Sequence, residues 1–418
     1  MLLRFKVSNY KSFLNEIEFS MIPAPKQKDL EYSILEKEAA NKTYRALCSS
    51  VIYGPNASGK TNIIGALETF INIVKKGHLR NDDQITTFNA SMHKLEFIPN
   101  SSLLKPKPTT FLIEFIMDDS HIEYELEIEL GLFLDQNYER KVSYEKLRVN
   151  NKDEFERIDK NIIFYNGNTK YSEHLLPIIN DNLEKNSIFL TNGFKNVINK
   201  ELSNKIIDYL TKKILIFYRS DSIRLNLDIP KDRNYVFLDD LSNVAKEFDS
   251  SGEHILFVSN KEGPSRLVTS LKNKDNNDVF LPVDMIESYG TFRFLNLYPF
   301  IKKVLKEGGT LIVDEFDASL HPMVIMDIIK IFHNDEKNIN QAQLIFNTHN
   351  PIFLRNTLFR RDEIKFVEKE DNSSTLYTLA DFGTSGEKGV RNTEDYMKNY
   401  FVNKYGSISD VDLSNLFT

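Results

Sequence analysis

Hydrophobic and polar residues alternate at the start of the chain, over residues 3–7 (Leu-Arg-Phe-Lys-Val) and again around Ile17 and Phe19. Successive side chains of a β-strand point to opposite faces, so both alternating stretches predict strands with one buried face. The short polar stretch between them is typical of a turn. The pattern therefore predicts a β-hairpin at the beginning of the chain.

A largely apolar run from Ala46 to Tyr53 has a different character, because it ends abruptly in the glycine-containing loop 54–59. Beyond this loop the hydrophobic side chains recur at helical spacing, at Ile63, Leu67, Phe70 and Val74. A buried strand, a loop and an amphipathic helix are therefore predicted in direct succession.

Residues 109–117 and 121–131 flank a short polar turn, and the second stretch alternates hydrophobic residues with four glutamates. We interpret the two stretches as a β-hairpin that residues 141–149 extend. The glutamates suggest a metal site, but a strand with one solvated face gives the same pattern without any site, and we favour that simpler interpretation. They are Glu123, Glu125, Glu127 and Glu129.

The composition limits the classes of function. The 418 residues are 41% hydrophobic and 27% charged, as in soluble globular proteins, and no apolar run is long enough for a membrane span. The first residues lack the pattern of a signal peptide, so we expect a cytoplasmic protein. Cys48 is the single cysteine, which excludes an intrachain disulfide. The net charge of −7 gives no overall attraction for nucleic acid, and no basic groove is indicated.

The loop after the first buried strand carries the strongest chemical signal, a complete G-x-x-x-x-G-K-[ST] motif followed by an asparagine. Its glycines let successive backbone N–H groups and the helix N-terminus surround a phosphate. A lysine neutralises the β- and γ-phosphate oxygens, and a hydroxyl is offered to Mg²⁺. The predicted nucleotide-binding residues are Gly54, Asn56, Ala57, Ser58, Gly59, Lys60, Thr61 and Asn62.

A second signal lies far downstream, where the apolar residues 310–313 end in Asp314 and Glu315. An apolar run that ends in two acids is weak evidence alone. Together with the phosphate loop it predicts a Walker B strand, because phosphoryl transfer needs a metal-binding carboxylate beside the phosphate cradle. Asp314 would hold the magnesium, and Glu315 would act as the general base on water.

Two further signals surround this strand. His349 follows another short apolar stretch, 35 residues after Asp314. Ser288, Gly290 and Thr291 precede an apolar helical segment just ahead of residues 310–313. A serine hydroxyl and glycine amides at a helix N-terminus make an anion site, although the same sequence is also an ordinary helix cap.

Taken together, these motifs resemble the ABC-type ATPases of the SMC, RecF and OLD lineage, and most closely the RloA/AbiLi abortive-infection ATPases. The resemblance implies ATP and Mg²⁺ as ligands, with Lys60, Glu315 and His349 as the catalytic residues. It identifies His349 as the switch histidine that contacts the γ-phosphate. It also makes Ser288, Gly290 and Thr291 a signature that faces the nucleotide of a partner copy, which implies a homodimer or a higher even-numbered assembly.

The resemblance assigns further residues. Ser319 and His321 stand where transporter ATPases carry the D-loop, but transporters have an aspartate at the position of His321, so the communication between sites cannot be transferred from them. Asn9 and Lys11 would approach the base or ribose, with a plain hairpin turn as the open alternative. Gln84 is a Q-loop candidate by its rough position.

The fold implied by this resemblance is an α/β ABC-type P-loop core, a mixed sheet with flanking helices, with an inserted β-rich and helical lid or arm. We predict an N-terminal part of the core at 1–165, an inserted, mainly helical subdomain at 166–280 and a C-terminal part of the core at 281–418. Residues 364–368 are predicted to form an edge strand. The 69 residues after His349 are too few for the TOPRIM nuclease domain of OLD proteins, so no such domain is expected.

The implied function is an antiphage-defence ATPase that dimerises around ATP and controls a separately encoded toxin or nuclease. Two alternatives remain open at this point. One is a DNA repair or recombination ATPase of the RecF/SMC type that binds DNA directly. The other is a scaffold that ATP stabilises and that has negligible turnover.

Overall fold

The computed structural model describes the chain except for residues 26, 28, 29, 81–94, 136, 165–168, 219–222, 228, 230–233, 251, 260–264, 385–388 and 409–418. Two large sheets organise this part of the chain. Within it, no helix has both the length and the apolar character that crossing a lipid bilayer requires.

The first large sheet is antiparallel and has seven strands in the order β10-β9-β8-β7-β6-β1-β2. Two predicted hairpins are confirmed, since β1 pairs with β2, and β6 pairs with β7, which pairs with β8. The strands are β1 (Leu2–Ser8), β2 (Ile17–Ser20), β6 (Thr109–Met117), β7 (Ser120–Glu129), β8 (Lys141–Val149), β9 (Lys152–Ile158) and β10 (Asn161–Phe164). A separate two-stranded ribbon joins β3 (Ile34–Ala39) to β4 (Lys42–Leu47).

The second large sheet has six strands in the order β11-β16-β17-β5-β18-β19, and all pairs are parallel except the last. Parallel strands end at a common edge, so the residues that follow β5, β16 and β17 come together in space. The strands are β5 (Ser49–Tyr53), β11 (Ile214–Phe217), β16 (Thr310–Val313), β17 (Gln343–Asn347), β18 (Ile364–Glu370) and β19 (Ser373–Thr378).

The α-helices of the described part of the chain are α1 (Lys60–Lys76), α2 (Thr169–Asn182), α3 (Lys200–Asp208), α4 (Asp239–Glu247), α5 (Val283–Ile286), α6 (Tyr289–Glu307), α7 (Pro322–Phe332) and α8 (Tyr396–Phe401). Helices α1, α6 and α7 pack on the faces of the second sheet, and further helices lie elsewhere. Ile52 of β5 lies in a core shared with α1 and the first sheet. Its neighbours Val51 and Tyr53 lie in a second core, with α6 and α7. The parallel sheet is therefore buried on both faces, as its continuous apolar strands predict.

One sequence prediction needs correction here. β18 is not an edge strand, because β19 covers its outer side. The sequence of β19, Ser-Ser-Thr-Leu-Tyr-Thr, begins with three hydroxyl residues and gave no strand signal. The segment 166–280, which we predict to be mainly helical, contains helices up to residue 213, and beyond that residue it contains strands as well as α4. There, β11 joins the parallel sheet, and β12 (Tyr235–Phe237), β13 (Ile255–Val258), β14 (Arg266–Lys272) and β15 (Asp278–Pro282) form a four-stranded antiparallel sheet.

This small sheet packs beside the helix that precedes β16. Phe257 of β13 and Ala245 of α4 share a third core with Leu295 of α6. Its strands are three to seven residues long, too short for their alternation to stand out from the neighbouring helical patterns.

Candidate functional site

The loop between β5 and α1 has the shape that the motif predicts. Gly59 has a φ of 113°, a left-handed conformation that favours glycine. A Cβ on Gly54 would lie 2.3 Å from the carbonyl oxygen of Val367, and one on Gly59 would lie 2.6 Å from Ser12 Oγ. Added side chains would therefore displace the loop. The resulting cradle of backbone amides at the start of α1 fits a phosphate group.

Lys60 lies at the base of this cradle. Its side chain is buried, and Nζ donates hydrogen bonds of 2.8 Å to the carbonyl oxygens of Gly54 and Pro55. Burial lowers the pKa of Lys60 to about 8, while the negative charges of Asp314 and Glu315 oppose the shift. A positive charge is thus held in a partly dry site beside two carboxylates, where electrostatic interactions are strong.

Thr61 and Asp314 meet although 253 positions separate them in the chain. Thr61 Oγ1 donates to Asp314 Oδ1 at 3.0 Å, and Asp314 is buried at the end of β16. Hydroxyl and carboxylate oxygens are the ligands that Mg²⁺ prefers, so this pair fits the predicted metal. The pairing of the phosphate loop with residues 310–315 is present in the structure.

Glu315 follows Asp314 with an exposed side chain and a strained backbone. Its φ of 50° is left-handed, a conformation that costs a non-glycine residue of the order of 1 kcal/mol or more. Two contacts hold it there: its N–H donates to Asn347 Oδ1 at 2.5 Å, and its carbonyl accepts a bond of 2.7 Å from Arg293 Nη2. Strain that other residues maintain is common at functional sites.

His349 lies at the same edge of the sheet, two residues beyond β17. Partial shielding from water lowers the pKa of His349, and the positive charge of Lys60 lowers it further. The charges of Asp317 and Asp314 act in the opposite direction. The imidazole is therefore within electrostatic reach of Lys60 and Asp314.

The predicted signature residues, Ser288, Gly290 and Thr291, lie at the start of helix α6. Ser288 is exposed and caps the helix, its Oγ accepting from Thr291 N at 3.1 Å. Gly290 packs against the D-loop, since a Cβ there would lie 2.4 Å from the carbonyl oxygen of Ser319. The helix-cap interpretation thus describes what Ser288 does within one copy, and its exposure leaves the hydroxyl accessible to a second copy.

The predicted D-loop residues, Ser319 and His321, are both exposed. Ser319 has a left-handed φ of 63°. His321 caps helix α7, with Nδ1 accepting from Met323 N at 3.3 Å. Arg293 Nη1 donates to the carbonyl oxygen of Ala318 at 2.9 Å, so α6 supports the D-loop backbone as well as Glu315.

The weaker candidates Asn9 and Lys11 are engaged within the protein. Asn9 is buried, with Nδ2 donating to the carbonyl oxygen of Lys107 at 2.6 Å and Oδ1 accepting from Asn100 N at 2.9 Å. Lys11 Nζ is paired with Glu96. These contacts favour the structural alternative for Asn9. Gln84 lies outside the described residues.

The turn that contains these residues nevertheless contacts the phosphate loop. Asn62 Nδ2 donates to Ser12 Oγ at 2.8 Å. Ser374 of β19 reaches the same place, since its Oγ donates to the carbonyl oxygen of Ser58 at 2.5 Å and its N–H donates to the carbonyl oxygen of Ser12. Sequence reasoning missed Ser374, and no motif around it would have identified it.

A second group of potential ligands lies at the opposite end of the parallel strands. One ligand atom from each of the buried residues Cys48, His333 and Glu363 lies within 4.8 Å of the others. Ser49 Oγ is 2.8 Å from His333 Nε2 and donates to Glu363 Oε1 at 2.9 Å. Burial raises the pKa of the Cys48 thiol well above its usual value. Hydrogen bonds within the protein already account for this group, which we interpret as structural.

Comparison with protein families gives one match that spans most of the chain. A family model described as "AAA domain, putative AbiEii toxin, Type IV TA system" matches residues 49–355, a range that runs from β5 to beyond His349. No curated protein matches the sequence. Among solved structures, the chain is similar to the SMC head domain from Thermotoga maritima, with 12% identity, 90% of this chain and 98% of that chain covered, and a TM-score of 0.38.

Proposed function

The chain belongs to the AAA domain family whose model matches residues 49–355, and we propose that it is an ATP-hydrolysing dimer that controls a separate effector in antiphage defence. We further propose that it is an abortive-infection ATPase of the RloA/AbiLi type. The observation that carries the proposal is the bond of 3.0 Å between Thr61 Oγ1 and Asp314 Oδ1, which joins the phosphate loop to the Walker B strand.

Each residue of the site has a role in this proposal. The loop amides and Lys60 would bind the β- and γ-phosphates of ATP, and Thr61 and Asp314 would hold Mg²⁺. When bound, Mg²⁺ neutralises charge on the phosphate oxygens. Glu315 accepts a proton from the attacking water, whose oxygen forms the new bond to the γ-phosphorus while the bond to the β-γ bridging oxygen breaks. His349 donates a hydrogen bond to the γ-phosphate.

The position of the predicted signature supports the proposed dimerisation. Ser288 is exposed at the N-terminus of α6, where a hydroxyl and backbone amides can bind an anion. In the proposed dimer, this surface of one copy binds the γ-phosphate held by the other. ATP then joins the two copies, and hydrolysis releases them.

Control of an effector is the part of the proposal that draws on the family. Its description refers to a toxin and to a toxin-antitoxin system, which fits a partner encoded next to this chain. Opening and closing of the dimer would change the surface on which the partner binds. The chain would thus hold the effector inactive in one nucleotide state and release it in the other.

The first experiment uses Glu315→Gln, which keeps the shape of the side chain and removes its basicity. We expect ATP hydrolysis to fall by about 10²-fold to 10⁴-fold, as for loss of a general base. We also expect ATP to retain the variant as a dimer in size-exclusion chromatography with light scattering. Glu336→Gln, an exposed glutamate beyond α7, is the matched control and should behave as the wild type.

The outcomes separate the alternatives. Normal turnover by Glu315→Gln would remove this residue from the base role. A wild-type chain that binds ATP without hydrolysing it would be a scaffold. Tight DNA binding by the chain alone, with a steep salt dependence, would favour a repair ATPase.

A second experiment tests the effector. The chain and the proteins encoded beside it are co-expressed, and growth is followed with wild type and with Lys60→Ala, which loses the phosphate-binding cation. We expect one neighbour to co-purify with the chain and to become toxic, or to lose its toxicity, in only one of the two backgrounds. Neighbours that neither bind the chain nor alter growth would contradict control of an effector.

A further inference from the structure

Asn347 is the last residue of β17, between β5 and β16 at the carboxyl edge of the parallel sheet. It is almost completely buried. Its Nδ2 donates to Asp314 Oδ1, and its Oδ1 accepts from the backbone N–H of Glu315 at 2.5 Å. One amide therefore contacts both acidic residues of the predicted Walker B pair.

This double contact requires an amide. Asp314 Oδ1 needs a donor, whereas the N–H of Glu315 needs an acceptor, and a neutral amide offers both at the end of one short side chain. An aspartate would supply only acceptors and would place a second negative charge beside Asp314. Serine or threonine would not extend far enough to replace both contacts.

The hydrogen bond between the Glu315 N–H and Asn347 also stabilises the strained backbone of Glu315. The left-handed φ of 50° at Glu315 turns its N–H towards β17, where Asn347 Oδ1 receives it. A hydrogen bond to a buried acceptor opposes the return of this residue to a relaxed conformation. The hydrogen bond to Asn347 in β17 therefore helps to fix the direction in which the exposed Glu315 side chain points.

We propose that Asn347 is a positioning residue that orients the metal-binding carboxylate of Asp314 and holds Glu315 in its left-handed conformation. The inference rests on the proposed ATPase function. It adds a residue that acts on the metal site and on the attacking water through Asp314 and Glu315. The P-loop contacts of Lys60 do not involve Asn347, so the role is confined to metal binding and hydrolysis.

The test compares Asn347→Ala, Asn347→Asp and the wild type. Affinity for a fluorescent ATP analogue is measured in EDTA and in Mg²⁺, and binding of Mn²⁺ to the nucleotide complex is followed by electron paramagnetic resonance. We expect both variants to keep the affinity in EDTA within about twofold. The ratio of the affinity in Mg²⁺ to the affinity in EDTA should be about tenfold smaller in both variants than in the wild type. Mn²⁺ should bind correspondingly more weakly to their nucleotide complexes.

Hydrolysis separates the two contacts. Asn347→Asp retains an acceptor for the N–H of Glu315 but loses the donor to Asp314, whereas Asn347→Ala loses both. We therefore expect kcat to fall about tenfold or more in both variants and further in Asn347→Ala, with KM in saturating Mg²⁺ changing less than kcat. The near-isosteric Asn347→Asp keeps the test valid if the alanine variant does not fold.

Asn338 provides a matched control. It is also buried, it makes three hydrogen bonds with Phe332 and Ala342, and it precedes β17 at the end far from Asp314. Asn338→Ala should lower thermal stability without changing the effect of Mg²⁺.

Two results would overturn the inference: wild-type Mg²⁺ dependence in both Asn347 variants, or an equal loss in Asn338→Ala. If the wild type itself bound no ATP with Mg²⁺, the proposed function and this inference would both fall.

Discussion

The guanidinium of Arg293 donates to the carbonyl oxygen of Glu315 at 2.7 Å and to that of Ala318 at 2.9 Å. Arg293 is buried and lies in α6, four residues after Tyr289 begins the helix. The helix that begins at the predicted signature is therefore hydrogen-bonded directly to the backbone of the predicted base and of the predicted D-loop. If contact with a partner copy shifted this helix, the side chain of Arg293 would move the backbone of Glu315.

Arg293→Lys tests this connection. A lysine keeps the charge but cannot bond two separate carbonyls in the fixed geometry of the guanidinium. Loss of a charged hydrogen bond costs about 1.5–3 kcal/mol, so we expect kcat to fall about 10-fold to 100-fold with a small change in the KM for ATP. Steady-state hydrolysis over a range of ATP concentrations measures both.

Arg361→Lys is the control for that variant. Arg361 is also buried and bonds the carbonyl oxygens of Leu379, Ala380 and Gly383, away from the Walker B strand. It should lose stability and retain kcat. Full activity in Arg293→Lys, or an equal loss of kcat in both variants, would show that the connection has no catalytic role.

Gly290→Ala tests the close approach of the signature to the D-loop. Alanine favours a helix by about 1 kcal/mol over glycine, so helix propensity alone predicts a more stable protein. The added Cβ would instead lie 2.4 Å from the carbonyl oxygen of Ser319, and one of the two segments must move. We expect ATP-dependent dimerisation in the Glu315→Gln background to weaken at least tenfold, as measured by analytical ultracentrifugation.

Binding of ATP to a single copy should stay unchanged in Gly290→Ala, because Lys60 and Thr61 are not involved. Reduced binding at low protein concentration, where the chain is monomeric, would show that the substitution disturbs the whole fold. Undiminished dimerisation would show that the contact with Ser319 is not needed for the signature to act.

Ser374→Ala tests the support of the phosphate loop from β19. The Ser374 hydroxyl donates to the carbonyl oxygen of Ser58 at 2.5 Å in a buried position. Its loss leaves that carbonyl without this partner, at a cost of about 1–2 kcal/mol. We expect nucleotide affinity to fall about 5-fold to 30-fold, in EDTA and in Mg²⁺ alike, by isothermal titration calorimetry. The neighbouring Ser373→Ala should bind as the wild type, and equal losses in the two variants would contradict a specific role.

The parts of the site that could be predicted are those whose residues are consecutive in the sequence. Strand β5, the glycine loop and α1 are consecutive, so the pattern of residues 46–74 contains the phosphate cradle completely. Strand β16 ends in its two acids in the same way. Because parallel strands end at one edge of the sheet, the phosphate loop and the end of β16 were expected to lie close together. The hydrogen bond between Thr61 and Asp314 joins them.

The residues that support the site escaped prediction because their role depends on tertiary proximity. Ser374 and Arg293 act through backbone carbonyls of distant segments, and no local pattern marks such a contact. Asn347 gave one faint signal, a polar residue ending a buried strand. The strands after residue 213 were missed for another reason: β11 reads Ile-Leu-Ile-Phe, an apolar run too short to distinguish from a helix by periodicity.

Glu68 provides a prediction on stability and pH. This residue of α1 is largely shielded from water, and its Oε2 is buried with no hydrogen-bond partner among the described residues. Burial raises the pKa of Glu68 to about 7, the charge of Glu96 adds to the shift, and Asn72 opposes it. Between the unfolded pKa near 4.5 and the folded pKa near 7, the folded state binds more protons than the unfolded state. Stability is therefore lost as pH rises through this window.

Glu68→Gln removes the charge and should stabilise the protein above pH 7 by about 1–2 kcal/mol, a value reduced from the full shift because the side chain is not completely buried. At pH 5 the wild-type carboxyl is already protonated in the folded state, so the gain should be small. Urea unfolding at pH 5 and pH 8 measures the difference. Glu201→Gln, on the exposed surface of α3, should show no such pH-dependent gain. An equal effect of Glu68→Gln at both pH values would show that the Glu68 carboxylate carries no burial penalty in the folded protein.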